Sequence, residues 1–112
     1  ASYAKELTKS DGLINWTKPA YLTERFIRAM NPWPMAWTWR DGQQVKIIAA
    51  QKEPLEINSY KPGKTFKYNS GLAVQCGRDS LIIKELQLAG KNVLKSQDFL
   101  RGQKNFIGTV LG

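Results

Sequence analysis

The stretch Asn31-Pro32-Trp33-Pro34-Met35-Ala36-Trp37-Thr38-Trp39-Arg40 decides how this chain folds. Its prolines and tryptophans make a stiff aromatic hinge, not a solvated loop. Proline pushes the residue before it out of the α region, so a helix arriving at Asn31 must stop there. From Met35 the side chains alternate. Trp37 and Trp39 fall on one side and Ala36, Thr38 and Arg40 on the other, as in a strand. The hinge therefore joins a helix to a sheet. A tryptophan pair at strand spacing could stack bases, but is more often core, and core is the expectation here.

On the N-terminal side, Leu22, Phe26, Ala29 and Met30, with Ile27 beside them, follow the spacing of one buried helical face. Tyr21, Glu24, Arg25 and Arg28 occupy the other, and Glu24 precedes Arg28 by four residues, the favourable order for an ion pair. Arg25 and Arg28 could touch phosphate or form a solvated, salt-bridged face. Thr17 is expected as the N-cap, with Pro19 in the first turn, where its missing N–H costs nothing. Leu13, Ile14 and Trp16 form a short apolar anchor. Residues 1–12 read partly as a linker.

On the C-terminal side, Asp41-Gly42 signals a tight turn, and Val45, Ile47 and Ala49 alternate on the returning strand. Residues 51–62 read as an irregular surface loop. Phe66 and Tyr68 belong to the next strand, Asn69-Ser70-Gly71 turns it, and Leu72, Val74 and Cys76 follow. After a turn at 77–80, Leu81 and Ile83 keep one phase while Leu86 and Leu88 keep the opposite one. A straight strand cannot bury both pairs on one face, so a β-bulge is predicted near Lys84-Glu85. Five strands between about 35 and 88 predict a mainly β fold, a small antiparallel barrel rather than a flat sheet. A helix is expected over Lys91 to Leu100, with Val93, Leu94, Gln97 and Leu100 on one side, ending at Gly102. The tail 105–112 carries no clear pattern.

Composition narrows the function. The 112 residues suit one domain. With no histidine, serine–histidine and cysteine–histidine catalysis and imidazole metal sites are excluded. The single cysteine, Cys76, reads as a small core residue and removes any internal disulfide. Lysine and arginine number 17 against nine acids, a net charge of +8, which attracts polyanions, nucleic acid first, although charge also serves solubility. No apolar run is long enough to span a bilayer.

Several landmarks go beyond generic pattern. They are Ile14-Asn15-Trp16, Glu24-Arg25-Phe26-Ile27-Arg28-Ala29, the Asn31-Pro32-Trp33-Pro34 hinge, Val45-Lys46-Ile47, Pro62-Gly63-Lys64, Leu86-Gln87-Leu88-Ala89-Gly90-Lys91 and Gln97-Asp98-Phe99-Leu100-Arg101-Gly102. In this order the chain, from about Tyr3 to Lys104, resembles the C-terminal domain of methionyl-tRNA formyltransferase. Asn15 stands where that family usually has an acid.

The resemblance implies a five-stranded antiparallel barrel of the oligonucleotide-binding (OB) type, following a Rossmann-like catalytic domain outside this chain. That domain uses 10-formyltetrahydrofolate to formylate the methionine of initiator tRNA in translation initiation. Its catalytic residues lie there, so no catalytic residue, cofactor or metal is expected on this chain. The expected partners are initiator Met-tRNA and the catalytic domain, with no membrane. A monomer is expected, in the bacterial cytoplasm or, for a eukaryotic source, an organellar matrix. RNA contacts are expected at Lys91, Lys95, Arg101 and Lys104, which cluster around one short helix and its exit, and at Lys5 near the linker. Lys61, Lys64 and Lys67 form a second basic set, with Arg25 and Arg28 as further candidates. One alternative is the corresponding domain of another folate-dependent formyltransferase, acting on a nucleotide-sugar or on folate, with a structural, non-RNA role. Another is an interaction module using Trp33, Trp37 and Trp39 as an exposed patch, which requires two or more of those rings to be exposed.

Overall fold

The computed structural model describes residues 8–112. A short 3-10 turn (Lys9–Gly12) leads into α1 (Ala20–Met30), followed by β1 (Ala36–Arg40), β2 (Gln43–Ala50), β3 (Thr65–Tyr68), β4 (Gly71–Gln75), β5 (Ser80–Leu88), the two-residue β6 (Leu94–Lys95) and α2 (Ser96–Gly102). The antiparallel sheet has the order β1-β2-β5-β4-β3, with β6 added to β5. The fold is thus mainly β, with one helix before the sheet and one after it.

The hinge behaves as its sequence demands. Asn31 is extended and caps α1, and the Met35 N–H donates to the Met30 carbonyl at 2.7 Å across the prolines. Both X-Pro bonds are cis, and Met35 has a φ of 74°.

The bulge is where the phase change puts it. Between β2 and β5 the pairs run Ile47↔Leu86, Ala49↔Glu85, Ala50↔Ile83, so Lys84 is the extra residue on β5. Ile48 is a compensating extra residue on β2, which the one-strand pattern could not reveal. Leu81, Ile83, Leu86 and Leu88 are consequently all buried in one core with Val45, Ile47, Leu72 and Val74.

Several elements differ from the sequence expectation. α1 begins at Ala20 with Pro19 as its N-cap; Thr17 instead donates its N–H (3.1 Å) and hydroxyl (2.6 Å) to Asn15 Oδ1. Asn15 therefore needs only its carbonyl oxygen to hold this turn. The helix also buries a different side. Ala20, Thr23, Glu24 and Ile27 face the sheet, while Leu22 and Ala29 are exposed and Phe26 and Met30 half-buried. Close approach favours the smaller set, and the polar members are satisfied locally. Thr23 Oγ1 donates to the Pro19 carbonyl at 3.1 Å, and Glu24 holds Arg28 at 2.7 Å.

The inner face of β1 is likewise Ala36 and Thr38, and the tryptophan that enters the core is Trp16, whose Nε1 donates to Thr38 Oγ1 at 2.9 Å. Trp37 is buried on the outer face, donating to the Lys9 carbonyl at 2.7 Å, and Trp39 meets it edge-on at 4.9 Å. Residues 91–93 are not helical. Leu94 and Lys95 pair with Leu86 and Glu85, and α2 starts only at Ser96, burying Ser96 and Phe99. Val93 and Leu94, expected on the buried side, are exposed.

The sheet is not closed by strand pairing into the expected barrel, because β1 and β3 have no ladder between them. The C-terminal tail lies across that opening. Thr65 N–H donates to the Thr109 carbonyl at 2.9 Å, Leu111 N–H to the Gly63 carbonyl at 2.8 Å, and Gly112 N–H to the Trp39 carbonyl at 3.0 Å. Thr65 Oγ1 lies 2.9 Å from the carbonyls of both Phe106 and Thr109 and accepts from the Gly108 N–H at 2.9 Å. Phe106 and Leu111 complete the core, with Phe106 edge-on to Phe99 at 4.9 Å. Loop 51–62 is also tied down, since Leu55 and Ser80 exchange two 2.9 Å backbone bonds and Ser80 Oγ donates to the Ile57 carbonyl at 2.7 Å. Packing dictates glycine at Gly12 and Gly77, where a Cβ would run into the carbonyl oxygens of Met35 and Thr17.

Candidate nucleic-acid interface

The β3–β4 turn ends beside the start of α2, with the Gly71 backbone close against Ser96 Oγ. Between this turn and the outer side of α2 lies an open groove of about 500 Å³, lined by Lys67, Ser70, Gln97, Leu100, Arg101, Gln103, Lys104 and Ile107. Two basic sets that are far apart in sequence thus meet, Lys67 on one wall and Arg101 with Lys104 on the other. Asp98, the only acid between residues 91 and 104, is 3.2 Å from Arg101, a pair exposed on both sides and of little energetic weight. The groove stays cationic.

Lys95 caps the start of α2. Lys91 borders a second depression, about 280 Å³, on the other side of the helix, with Leu88, Asn92, Leu94, Phe99, Gly102 and Gln103. The four residues expected around α2 therefore do surround it, although they do not share one groove. Lys61 and Lys64 sit at the opposite end of β3 from the groove. Lys5 lies outside the described residues.

Arg25 and Arg28 are apart from this surface, on α1. Arg28 Nε is bound to Glu24, whose side chain is almost fully buried, and Arg25 stacks over Tyr21 at 5.5 Å from the ring centroid. Both guanidinium groups already have intramolecular partners, as the salt-bridged reading of this helix expects.

Cys76 is buried among apolar neighbours, and that burial pushes its thiol up to about 12. The thiolate that a nucleophile or metal ligand would need is thereby suppressed. Trp33 and Trp39 are 58% and 40% exposed while Trp37 is covered, so two of the three hinge rings remain available at the surface. Among the described residues, no helix is long and apolar enough to cross a membrane.

An antiparallel sheet with one helix before it and one after it in the chain, and a basic groove beside the second, is the arrangement to be placed among known domains. A family model described as formyl transferase, C-terminal domain, matches residues 6–104, and the chain belongs to that family. More particularly, it is similar to methionyl-tRNA formyltransferases. It is 41% identical over 110 residues to that of Gluconobacter oxydans, covering 98% of this chain and 36% of the relative. Against the Pseudomonas putida F1 protein it is 40% identical over 115 residues, covering 100% of this chain and 36% of the relative. The chain thus spans about a third of the length of these relatives. Among solved structures, HypX from Aquifex aeolicus in complex with tetrahydrofolic acid shares the fold. Its TM-score is 0.70 at 17% identity, over 91% of this chain and 18% of that one.

Proposed function

We propose that this chain is the tRNA-holding domain of a methionyl-tRNA formyltransferase. The observation that carries the reading is the groove where Lys67, Arg101 and Lys104 converge from separate elements. Phosphate contacts from such cations supply affinity and orientation without reading sequence. The remainder of the longer protein transfers the formyl group from 10-formyltetrahydrofolate to the methionine of initiator tRNA, in the bacterial cytoplasm. This chain contributes no catalytic residue and binds no cofactor itself. Its share of the work is to hold the RNA while the amino acid reaches the catalytic domain.

The test is fluorescence anisotropy of labelled initiator tRNA with the 112-residue chain, across a salt series. Affinity should fall steeply with salt. Changing Lys67, Lys95, Arg101 and Lys104 together to glutamine should flatten the logarithmic slope by about 3, since each phosphate contact contributes roughly 0.7–0.9. No binding at low salt would sink the proposal.

A second reading, a structural role against the rest of the protein, is favoured by the outward side of α1. Leu13, Leu22 and Phe26 line an apolar groove of about 280 Å³ there. The two roles use different faces, and only the first predicts salt-dependent RNA binding by this chain.

A further inference from the structure

The outer face of the sheet carries a feature that the basic groove does not use. Along β3, Lys64, Phe66 and Tyr68 share one side while Thr65 and Lys67 point to the other, because strand side chains alternate. Thr65 and Lys67 face the core side and the groove. Phe66 is buried yet outside the main core cluster. It lies on the outer face, covered by the Tyr60 ring, stacked at 4.7 Å with an interplanar angle of 29°. The cross-strand partners of Phe66 and Tyr68 are Ala73 and Gly71, which have no bulk to cover the rings. Tyr60 and Tyr68 accordingly stay 44% and 36% exposed.

The surrounding charge is predominantly positive. Residues 57–78 include Lys61, Lys64, Lys67 and Arg78 and no aspartate or glutamate; the acids that flank this run are Glu56 and Asp79, and the Asp79 carboxylate accepts from Asn58 Nδ2 at 3.2 Å. A sheet face bearing exposed rings flanked by unopposed lysines combines the two parts that unpaired nucleotides require. The rings offer π-faces for bases, and the ammonium groups meet the phosphates between them. A protein partner would need an acidic apolar surface, for which exposed tyrosine rings are no better than aliphatic side chains. At its Tyr68 end the strip reaches the β3–β4 turn, whose Ser70 lines the groove, while Lys67 reaches that groove from the other face of the sheet.

We propose that Tyr60 and Tyr68, with Lys61 and Lys64, form a stacking platform for single-stranded nucleotides, next to a groove that holds phosphates. The platform rests on the RNA-binding reading and adds to it a preference for unpaired bases. Duplex RNA, whose bases are already stacked, gains nothing from the rings.

The experiment compares the parent 112-residue chain with the pair Tyr60→Leu and Tyr68→Leu and with the pair Tyr60→Phe and Tyr68→Phe. The probes are a labelled twelve-nucleotide oligoadenylate and an RNA duplex of equal length. The leucine pair should weaken single-strand binding by about 5- to 100-fold, leaving duplex binding and the salt slope unchanged, and the phenylalanine pair should restore it. Equal single-strand affinity in the leucine pair, or parallel loss on both probes, would overturn the platform. A parent that binds neither probe at low salt would instead sink the RNA reading as a whole. Should the leucine pair fail to fold, photocrosslinking of the parent to a strand containing 5-iodouridine decides the matter. Crosslinks at Tyr60 or Tyr68 support the platform, and crosslinks confined to other residues overturn it.

Discussion

Replacing Phe106 by alanine should cost this fold more than any change in the tail's own sequence pattern would suggest. The ring is fully buried, lies 4.9 Å from Phe99 in an edge-on pair, and carries the Arg40 guanidinium 5.1 Å above its centroid. Buried Phe→Ala changes cost about 3–5 kcal/mol. The edge-on pair adds specificity worth about 0.5–1.5 kcal/mol. Arg40 would lose its ring, and its Nε, 4.0 Å from Asp41 Oδ2, has no hydrogen-bond partner among the described residues to compensate. With a urea m-value of about 1.5 kcal/mol/M, the denaturation midpoint should fall by roughly 2–3 M. A loss of about 3–5 kcal/mol is a large share of the roughly 5–15 kcal/mol typical of a small domain. Because Phe106 anchors the segment that carries Lys104 and Ile107 into the groove wall, RNA affinity should fall in the variant even where it remains folded. A double-mutant cycle with Phe99→Ala isolates the ring pair. A midpoint shift under about 0.5 M, or additivity of the two changes within about 0.3 kcal/mol, would refute the claim that the tail is a core element locked through these rings.

Two further outcomes follow from single side chains. The Cys76 thiol, raised by burial from an ordinary value near 9.0 to about 12, keeps its proton in the folded chain while the unfolded chain loses it. The native state then binds more protons, so this group's contribution is complete below pH 9.0 and is lost as pH rises toward about 12. The slope should be on the order of 1 kcal/mol per pH unit, read as the difference between parent and Cys76→Ala in denaturation from pH 8 upward; identical slopes would contradict it. Arg28→Ala should destabilise by about 1–3 kcal/mol, because it strips a charged hydrogen bond from the buried Glu24 carboxylate. It should leave the salt slope of RNA binding unchanged, whereas a flatter slope would make Arg28 a phosphate contact after all.

Much of the fold is legible locally. The Asn31-Pro32 stop, the Asp41-Gly42 turn and the opposed phases of Leu81/Ile83 and Leu86/Leu88 each follow from near-neighbour sterics or from the two-residue period of a strand. Local pattern misleads where two environments compete for the same residues. Val93, Leu94 and Gln97 have helical spacing, yet Leu94 and Lys95 gain backbone partners on β5 and the helix waits for Ser96. The apolar side of α1 is equally clear in sequence. Which side turns inward is not, because a sheet that approaches closely accepts Ala20 and Thr23 more readily than Leu22 and Phe26.

The candidate site divides along the same line. By itself the sequence determines the order of helix, hinge and strands, the bulge on β5, the cationic balance, and the absence of histidine chemistry. Those properties are set by side-chain type and by neighbours within a few residues. Only the tertiary structure decides that the patternless tail bridges β3 and β1, and that Lys67 faces Arg101 and Lys104 across one groove. It also decides that Tyr60 reaches back over Phe66. Each of these contacts joins residues far apart in the chain, and their free energy comes from burying Phe106, Leu111 and Phe66 against surfaces that no local period describes.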